Sequence, residues 1–412
     1  MTLRASKPAF NIREKLTELG RRFGLKGSEI AAAETLQQVR DLLSIGRKNI
    51  VINGDMRITQ RGTTTVSVGA DPAAGGYQIH DRWRINNAQL DTLTVDYSHQ
   101  GGSSSIGFRD SARLTCTAAE TLAAGERFSF ETRLEAKDTV FLKWGSYEAR
   151  PITISFWVKS NLPGKYGVHV RHHDPGNAYV FPYTINQSDV WEYKTYIVPG
   201  DPYGTTNDDT GIGFWLRFVL QSGDVVSSAA DEKWSTTDSG PNTTPGAVAW
   251  GSVIGHTWEI TGVQVEAGTN ATEFERRSYS QELALCQRYF QGWNATSSTE
   301  RSATGIFVYD DEGNSSVNQT TLIGSGSVVD ADDARIYFSL PVTMRNKPTP
   351  TGGDLRLVVG STIYNTTTTI QYNNSTIHSC SMMIDNGGSM TTGQCCHLII
   401  KGNGYFYLDA EI

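Results

Sequence analysis

The sequence predicts a mainly β protein, with a short helical segment at its N-terminus and a second short helix between two β-rich domains. Long stretches alternate apolar and polar residues, as strands buried on one face do. The 412 residues include 41 glycines, and only 19% of them are charged, so surface polarity comes largely from hydroxyl and amide side chains. Between Trp258 and Trp293 the apolar spacing changes from alternation to helical steps, which indicates that a β-domain ends there.

Residues 1–47 predict two short helices. Asn11 with Glu14 forms a capping box, and Ser28 caps a second helix that runs to about residue 45. Each helix has one apolar stripe, which a short helix cannot bury alone, so we expect a docking protein or symmetry mates to cover it. Packing back onto the β-domain is the alternative. The residues expected to make this contact are Ile12, Leu16, Leu19, Phe23, Leu36 and Leu43.

Residues 48–277 predict one large β-sandwich. Strands are expected at 49–58, 77–85, 90–97, 105–115 and 127–134, at spacings typical of a sandwich, and clearer ones follow at 151–160, 166–172, 191–198, 211–220 and 258–265. In the clear strands Phe156 and Leu216 face the core, while Trp157 and Trp215 face outward. The long polar loops at 199–211 and 222–248 are expected to be functional or to contact a neighbour.

Residues 278–292 predict the connecting helix, with Leu283, Cys286, Tyr289 and Phe290 on its apolar face. Residues 293–412 predict a second, smaller β-domain of short strands separated by Gly, Asn and Asp. Its last strand reaches Ile412, so we expect that end to be held in the sheet.

Bulk properties exclude several classes. The net charge is −7 and no long basic stripe occurs, which disfavours nucleic-acid binding. No run of about 18 apolar residues could insert into a membrane, and no apolar leader begins the chain. The five scattered cysteines favour reduced, mostly buried thiols in a protein folded in the cytosol. No cofactor motif is found.

The outward tryptophans are the main candidates for a binding site. Flat aromatic rings stack on sugar rings, and neighbouring Arg and His side chains donate to hydroxyl groups. The set expected to bind a glycan is Trp157, His169, Arg171, Trp215 and Arg217. Two alternatives remain open, since the same surface can pack against a neighbouring subunit or be covered by the loop at 222–248.

Other groups of polar residues do not predict metal binding or catalysis. His172, His173 and Asp174 are adjacent, so they indicate a strand-end turn rather than converging ligands. Cys395, Cys396 and His397 lack a second cysteine pair and do not predict zinc. Asp310, Asp311 and Glu312 are expected to be solvated in a turn. No nucleophile, metalloprotease or phosphate-binding motif is found, so we expect no enzymatic activity.

Three stretches resemble a known class of virus protein. The segment ITGVQVEAGTNATEFERRSYSQELALCQRYF at 260–290 is similar to a junction in tailed-bacteriophage fibre and virion-appendage proteins. NIVINGDMRITQRG at 49–62 with DRWRI at 81–85, and FSLPVTMRNKPTP at 338–350, fit the same pattern. In that class a jelly-roll of carbohydrate-binding-module type is followed by a C-terminal fibre-tip β-domain.

The resemblance implies a homotrimeric tail fibre or appendage that is assembled in the host cytoplasm and anchored to the virion through residues 1–47. It implies adsorption to a host-surface polysaccharide, with a purely structural capsid or neck fibre and a glycan depolymerase as alternatives. Related binding modules hold a structural calcium ion, for which Asn53, Asp55 and Asp81 are the candidates; no metal is otherwise expected.

Overall fold

The computed structural model describes residues 49–69, 71, 75–223, 232–235, 243–294, 306–308, 320–360, 362–365, 370–371, 376–385 and 389–412. The helices expected within 1–47, with their apolar residues, lie outside this part of the chain, as does the acidic turn at 310–312. No helix in the described ranges is long and apolar enough to cross a membrane.

Two antiparallel sheets face each other in the first β-domain. Their strands, in chain order, are β1 Val66–Val68, β2 Gly76–Tyr77, β3 Trp83–Ala88, β4 Thr94–Gly101, β5 Asp110–Ala118, β6 Arg127–Glu135, β7 Ile152–Ser160, β8 Gly164–His172, β9 Asn177–Ile185, β10 Glu192–Val198, β11 Ile212–Ser222, β12 Trp234–Ser235 and β13 Thr257–Ala267. Sheet A has the order β1-β4-β5-β13-β7-β10, and sheet B has the order β12-β9-β8-β11-β6-β3-β2.

The core between sheets A and B is built largely from aromatic rings. Trp83 stacks on Phe130 with ring centroids 5.1 Å apart, and Phe156 meets Phe218 edge-on at 5.0 Å. These side chains come from both sheets and are fully buried. Each buries a large apolar area, so aromatic packing contributes much of the stability of this domain. The predicted inward orientation of Phe156 and Leu216 is confirmed.

The closing strand, expected at 258–265, is also confirmed. Its register with β7 shifts between Thr261 and Gln264, around Gly262. Gly262 has a φ of 62°, a conformation that glycine adopts without strain. The bulge predicted at this glycine is therefore present.

Two strand predictions near the start of the domain need correction. The strand expected over 49–58 is wrong, because this segment is an irregular loop in which Asn53 and Met56 have φ values of 57° and 59°. The backbone N–H and carbonyl of Ile58 are not paired with a neighbouring strand. Instead, both are hydrogen-bonded to the buried Asn53 side chain, at 2.9 Å each. The strand expected over 77–85 divides into β2 and β3 around Arg82, whose φ is 69°.

Strand β9 was not predicted from the sequence. It contains Pro182, which argues against a central strand because proline lacks a backbone N–H. Within the described residues, the side of β9 away from β8 is paired at Ala178 and Tyr179 by β12, and the Val180 carbonyl accepts from the backbone N–H of Glu232. This strand is therefore close to an edge strand, where proline is tolerated.

One α-helix, α1 at Tyr279–Gln287, follows sheet A within the described residues. Ser278 caps it in a capping box with Gln281. Cys286 and Tyr289, from the predicted apolar face, pack against Ile52 and Ile58 of the irregular loop. The helix ends earlier than the predicted residue 292, because the next residues form a strand.

The C-terminal strands form one continuous antiparallel sheet. They are β14 Phe290–Asn294, β15 Ile306–Val308, β16 Thr320–Val328, β17 Asp333–Ser339, β18 Thr349–Val359, β19 Thr362–Asn365, β20 Ile370–Gln371, β21 Ser379–Asp385 and β22 Cys395–Asp409. The long strand β22 pairs with β18 on one side and with β16 and then β14 on the other. A second core collects the buried side chains of this sheet, including Trp293 and Phe406, whose rings lie 5.5 Å apart. The predicted mainly β fold class is confirmed.

Buried polar contacts connect this second sheet to the first domain. The Arg82 guanidinium is buried, bonds the carboxylate of Glu411 and lies 3.5 Å from the centroid of the Tyr289 ring. Arg345 donates to the carbonyl oxygens of Thr210 at 2.6 Å and Ala410 at 2.8 Å. The last residues of the chain are therefore held by hydrogen bonds and ion pairs to both parts.

Candidate functional site

The outer face of sheet B carries charged side chains in two cross-strand rows. Successive side chains of a strand point to opposite faces, so the residues between the core positions of β3, β6, β8 and β11 point outward. We call this set the arginine face; its first row is Arg133, Trp215 and Arg171, and its second row is Arg84, Glu131, Arg217 and His169. Four of the five residues predicted to bind a glycan lie in this set.

Trp215 is in the middle of the first row and is surrounded by cations. The guanidinium carbons of Arg133, Arg171 and Arg217 lie 4.4, 4.6 and 5.0 Å from its ring centroid. His173 stacks on the same ring, with centroids 5.2 Å apart. The indole is only partly buried. Since tryptophan is the side chain that attracts cations most strongly through its ring, these contacts hold the guanidiniums in place.

Glu131 is the carboxylate at the centre of the second row, and it is fully buried. It accepts hydrogen bonds from Arg217 Nε at 2.7 Å and Arg133 Nη2 at 3.0 Å, and Arg84 Nη1 lies 3.5 Å away. Burial alone would raise the pKa of Glu131, but the charges of Arg217, Arg133 and Arg84 outweigh it and lower the pKa to about 2. One ionised carboxylate therefore interacts with three guanidinium groups.

His169 contributes no positive charge near neutral pH. Burial, and then the neighbouring charge of Arg217, lowers its pKa well below the usual value of 6.5. Its Nδ1 lies 3.1 Å from Arg217 Nη1, which can only donate, so Nδ1 accepts and the ring proton is on Nε2. Among the described residues, no acceptor lies within hydrogen-bond distance of this buried Nε2.

Three members of the arginine face, Arg84, Glu131 and Arg133, were not identified from the sequence. Two of them could have been predicted as outward-facing residues. The stretch RFSFETRLE at 127–135 alternates apolar and polar residues in the same way as the clear strands of the domain. Glu131 and Arg133 occupy its outward positions between Phe130 and Leu134.

Trp157 lies apart from the other predicted residues, on the outer face of sheet A. Its ring is 5.3 Å from that of the exposed Tyr193, on the neighbouring strand β10. Both line a cleft of about 220 Å³, together with Phe108, Phe274 and Arg276. The five predicted residues therefore form two separate aromatic surfaces, one on each sheet.

The adjacent histidines confirm the predicted strand-end turn, since β8 ends at His172 and a turn follows. The buried His172 is hydrogen-bonded through Nδ1 to Asp201 at 2.7 Å and through Nε2 to Thr206 at 2.8 Å. Asn177 donates to the same Asp201 carboxylate at 2.8 Å. These bonds fix the start of the loop at 199–211 against sheet B.

The residues considered for calcium are engaged in other contacts. The Asn53 side chain is hydrogen-bonded to backbone groups, including the Asp81 carbonyl at 2.9 Å. The Asp81 carboxylate accepts from Gln60 and lies 3.5 Å from Arg61. Burial raises the pKa of Asp81 to about 7, against the attraction of Arg61, and burial raises the pKa of Asp55 to about 6.

In two other groups of possible metal ligands, the side chains either make other contacts or point in different directions. Asp91, Glu120 and Glu126 bring carboxylate oxygens within 4.8 Å of one another, in the only such group found in the described ranges. Glu120 already accepts three backbone N–H bonds from the turn at 91–93. Cys395 is exposed and Cys396 is buried, as expected for neighbours on a strand, so the two thiols do not converge.

Comparison with known proteins yields matches to solved structures alone. No protein-family model and no curated protein matches the sequence. The enzymatically active domain of tailspike protein 4 from bacteriophage CBA120 is similar over 53% of this chain, at 14% identity and a TM-score of 0.27; the match spans about a fifth (21%) of that domain.

Two carbohydrate-binding modules are also similar to part of the chain. A family 4 module matches 52% of this chain and 97% of its own, at 17% identity and a TM-score of 0.26. A family 11 module from Clostridium thermocellum, in complex with a β-1,3-1,4-mixed-linked tetrasaccharide, matches 47% of this chain and 91% of its own, at 11% identity and a TM-score of 0.25. TM-scores in this range assign neither a family nor a ligand to the chain.

Proposed function

We propose that the protein is a subunit of a bacteriophage tail fibre or related virion appendage, and that it binds host-surface polysaccharide through the arginine face. Binding, not turnover, is the proposed activity. The observation that carries this proposal is the partly exposed Trp215 ring on the outer side of a sheet, with three guanidiniums around it. The exposed part of the indole can contact the apolar face of a sugar, and the guanidiniums can donate hydrogen bonds to its substituents.

The rest of the proposal concerns assembly. Residues 1–47 would attach the chain to virion proteins, and three copies would associate, so that weak sites on one trimer gain avidity. The edge strand β10 supports self-association, because it exposes Tyr193 and Ile197, at 44% and 46% of their surface. Exposed apolar side chains on a sheet edge are typical of interfaces. Light scattering of the wild type and of Ile197→Lys tests this point; a wild-type monomer would contradict the trimer.

Glycan binding is tested by electrophoresis of the full chain through gels that contain lipopolysaccharide or capsular polysaccharide from candidate hosts. The Trp215→Ala variant should lose most of the retardation, because the stacking surface is removed. Trp157→Ala is the matched control, since it removes a partly exposed tryptophan from the outer face of the other sheet. This control should be retarded like the wild type, and circular dichroism checks that both variants fold.

The alternatives give different results in the same experiments. Release of reducing sugar from the polysaccharide would identify a depolymerase. A protein that is incorporated into particles, binds no host polysaccharide and fails to compete with infection would be a structural capsid or neck fibre. Normal incorporation after deletion of residues 1–47 would contradict the anchoring role.

A further inference from the structure

We propose that the loop at 199–211 carries a second site, a centre for acyl transfer from carboxylic esters. In this site Thr206 supplies the nucleophile, His172 is the base, and Asp201 is the carboxylate that orients the base. The inference goes beyond the proposed function, which assigns binding alone to the arginine face. The preferred substrate is an ester carried by a sugar hydroxyl of the bound polysaccharide, and this detail rests on the proposed function.

Three side chains form a continuous line of hydrogen bonds at this site. His172 Nε2 lies 2.8 Å from the Thr206 hydroxyl oxygen, and His172 Nδ1 lies 2.7 Å from the Asp201 carboxylate. Both distances are those expected between a nucleophile and its base, and between the base and the group that orients it. A threonine hydroxyl acts as a nucleophile when an adjacent base removes its proton. The group therefore has the geometry that nucleophilic catalysis requires.

The Asp201 carboxylate is held as a hydrogen-bond acceptor at both of its oxygens. Asn177 Nδ2 donates to one oxygen at 2.8 Å, and the backbone N–H of Tyr203 donates to the other at 3.0 Å. We assign the ring proton of His172 to Nδ1, because an ionised carboxylate can only accept. The unprotonated Nε2 then faces the Thr206 hydroxyl, which is the arrangement in which a base takes the proton of its nucleophile.

The burial of the three side chains fits these roles. Those of His172 and Asp201 are 1% and 0% exposed, so water competes little for the hydrogen bond between them. Thr206 is half-buried and belongs to a surface loop, so the nucleophile is the end of the line nearest to solvent. A substrate can therefore approach the hydroxyl while the base and its carboxylate stay protected.

Two backbone N–H groups at the nucleophile are available for the negative charge that develops on the ester oxygen. They belong to Gly204 and Thr206, and neither makes a hydrogen bond within the described part of the chain. In serine proteases the N–H groups of two residues with this spacing, the second being the nucleophile, form the oxyanion hole. The loop therefore contains donors that can stabilise a tetrahedral intermediate.

The site adjoins the arginine face. Asp174 accepts from the backbone N–H and the side-chain amide of Asn207, at 2.8 and 3.0 Å, which holds the loop against the end of β8. His173, the neighbour of Asp174, stacks on the Trp215 ring with centroids 5.2 Å apart. Contacts through these residues thus connect Thr206 to the arginine face. A polysaccharide bound there would bring the esters on its sugars close to the nucleophile.

The reaction converts an ester and water into a carboxylic acid and an alcohol. Thr206 Oγ1 bonds to the ester carbonyl carbon while its proton passes to His172 Nε2, and the bond from that carbon to the alcohol oxygen then breaks as Nε2 protonates this oxygen. Water attacks the acyl-threonine by the same route, so that Oγ1 regains a proton and the acid leaves. No glycosidic bond breaks, so this activity releases no reducing sugar and differs from that of a depolymerase.

The test is hydrolysis of p-nitrophenyl acetate by the full chain, with acetate release from O-acetylated host polysaccharide as the second readout. Thr206→Val removes the hydroxyl but keeps the branched shape, and it should lower kcat/KM about a hundredfold or more. Thr206→Ser keeps a hydroxyl and should retain activity. Thr205→Val is the matched control, because it makes the same change at the exposed neighbouring threonine, and its rates should equal those of the wild type.

A further measurement needs no variant. Acid quenching of the wild type during turnover should trap an acetyl group on Thr206, located by mass spectrometry of the peptide that contains it. Thermal midpoints of the three variants check that each of them folds.

Contrary outcomes separate this inference from the proposed function. Equal rates in the wild type and Thr206→Val, or trapped acetyl groups on other residues alone, would overturn the acyl-transfer site and leave glycan binding intact. Hydrolysis of p-nitrophenyl acetate that depends on Thr206, in a protein that binds no host polysaccharide, would support the site and contradict the proposed function. Hydrolysis of this small ester without acetate release from a polysaccharide that is bound would overturn the sugar ester as the substrate.

Discussion

The Glu411→Gln substitution is expected to destabilise the protein strongly, because Glu411 neutralises buried arginines. The carboxylate pairs with Arg82 and lies 3.3 Å from Arg61. Glutamine keeps the size of the side chain and removes its charge. Since Glu411 follows strand β22 and Arg82 precedes β3, the change also weakens the connection between the two parts of the fold.

The size of the expected loss in the free energy of unfolding follows from the burial of the two paired side chains. The side chains of Arg82 and Glu411 are 1% and 5% exposed, so water screens their attraction only weakly. Apart from Glu411, Arg82 contacts the carbonyl of Arg133 and the ring of Tyr289, neither of which carries a neutralising charge. Removal of one partner from such a pair typically costs about 3 to 5 kcal/mol, because the other charge stays buried. We expect Glu411→Gln to lower the free energy of unfolding by that amount.

The assay is urea unfolding followed by tryptophan fluorescence, with Asp409→Asn as the matched control. Asp409 also lies 3.5 Å from Arg61, but its side chain is 46% exposed, so its loss should cost less than about 1 kcal/mol. The double variant Arg82→Met with Glu411→Gln should recover part of the loss, since no unpaired charge is then buried at Arg82. Equal effects of Glu411→Gln and Asp409→Asn would refute the reasoning.

Three further predictions concern conformation, pH and thiol reactivity. Gly262→Ala should destabilise by more than about 1 kcal/mol in urea titrations, because φ is +62° and the new Cβ would lie 2.6 Å from the Phe108 ring; Gly101→Ala, which meets open space, should be nearly neutral. The raised pKa of Asp81, from 3.8 to about 7, means that the folded state holds this proton more tightly, so the free energy of unfolding should fall by up to about 4 kcal/mol as pH rises towards 8. That slope should flatten in Asp81→Asn, and an unchanged slope would contradict the assignment. Ellman's reagent should modify Cys395 rapidly in the native protein and the four buried thiols only after unfolding; fast reaction of several thiols would be the contrary result.

Much of the fold was predictable where a strand buries one face. The apolar alternation of β7, β11 and β13 placed Phe156 and Leu216 correctly, and a single glycine marked the bulge in β13. The failures involve contacts between residues distant in sequence. The segment 49–58 has the composition of a strand, but its donors and acceptors are met by the Asn53 side chain and by residues after position 260, such as Val263. The early end of α1 arises from pairing of β14 with β22, at the far end of the chain.

In the candidate site too, the local pattern was predictable and the contacts between distant residues were not. Alternation correctly assigned outward positions to Trp215, Arg171 and Trp157. It could not tell that β7 belongs to sheet A and β11 to sheet B, because both strands have the same pattern, and so Trp157 was grouped with residues of the opposite face. The role of Glu131 was also hidden, since it depends on cross-strand register with Arg217 and Arg84.

The position of the arginine face on a sheet bears on how it can bind. Neighbouring strands are about 4.8 Å apart, so Arg133 and Arg171 start from backbones about 10 Å apart on either side of Trp215. Both guanidiniums nevertheless converge on the indole ring, and Glu131 holds Arg133 from below. These side chains are ordered before a ligand arrives, so binding loses little conformational entropy. Affinity for an extended polymer then depends on charge and stacking at a rigid surface. Binding of a polysaccharide should therefore leave the backbone around the face unchanged.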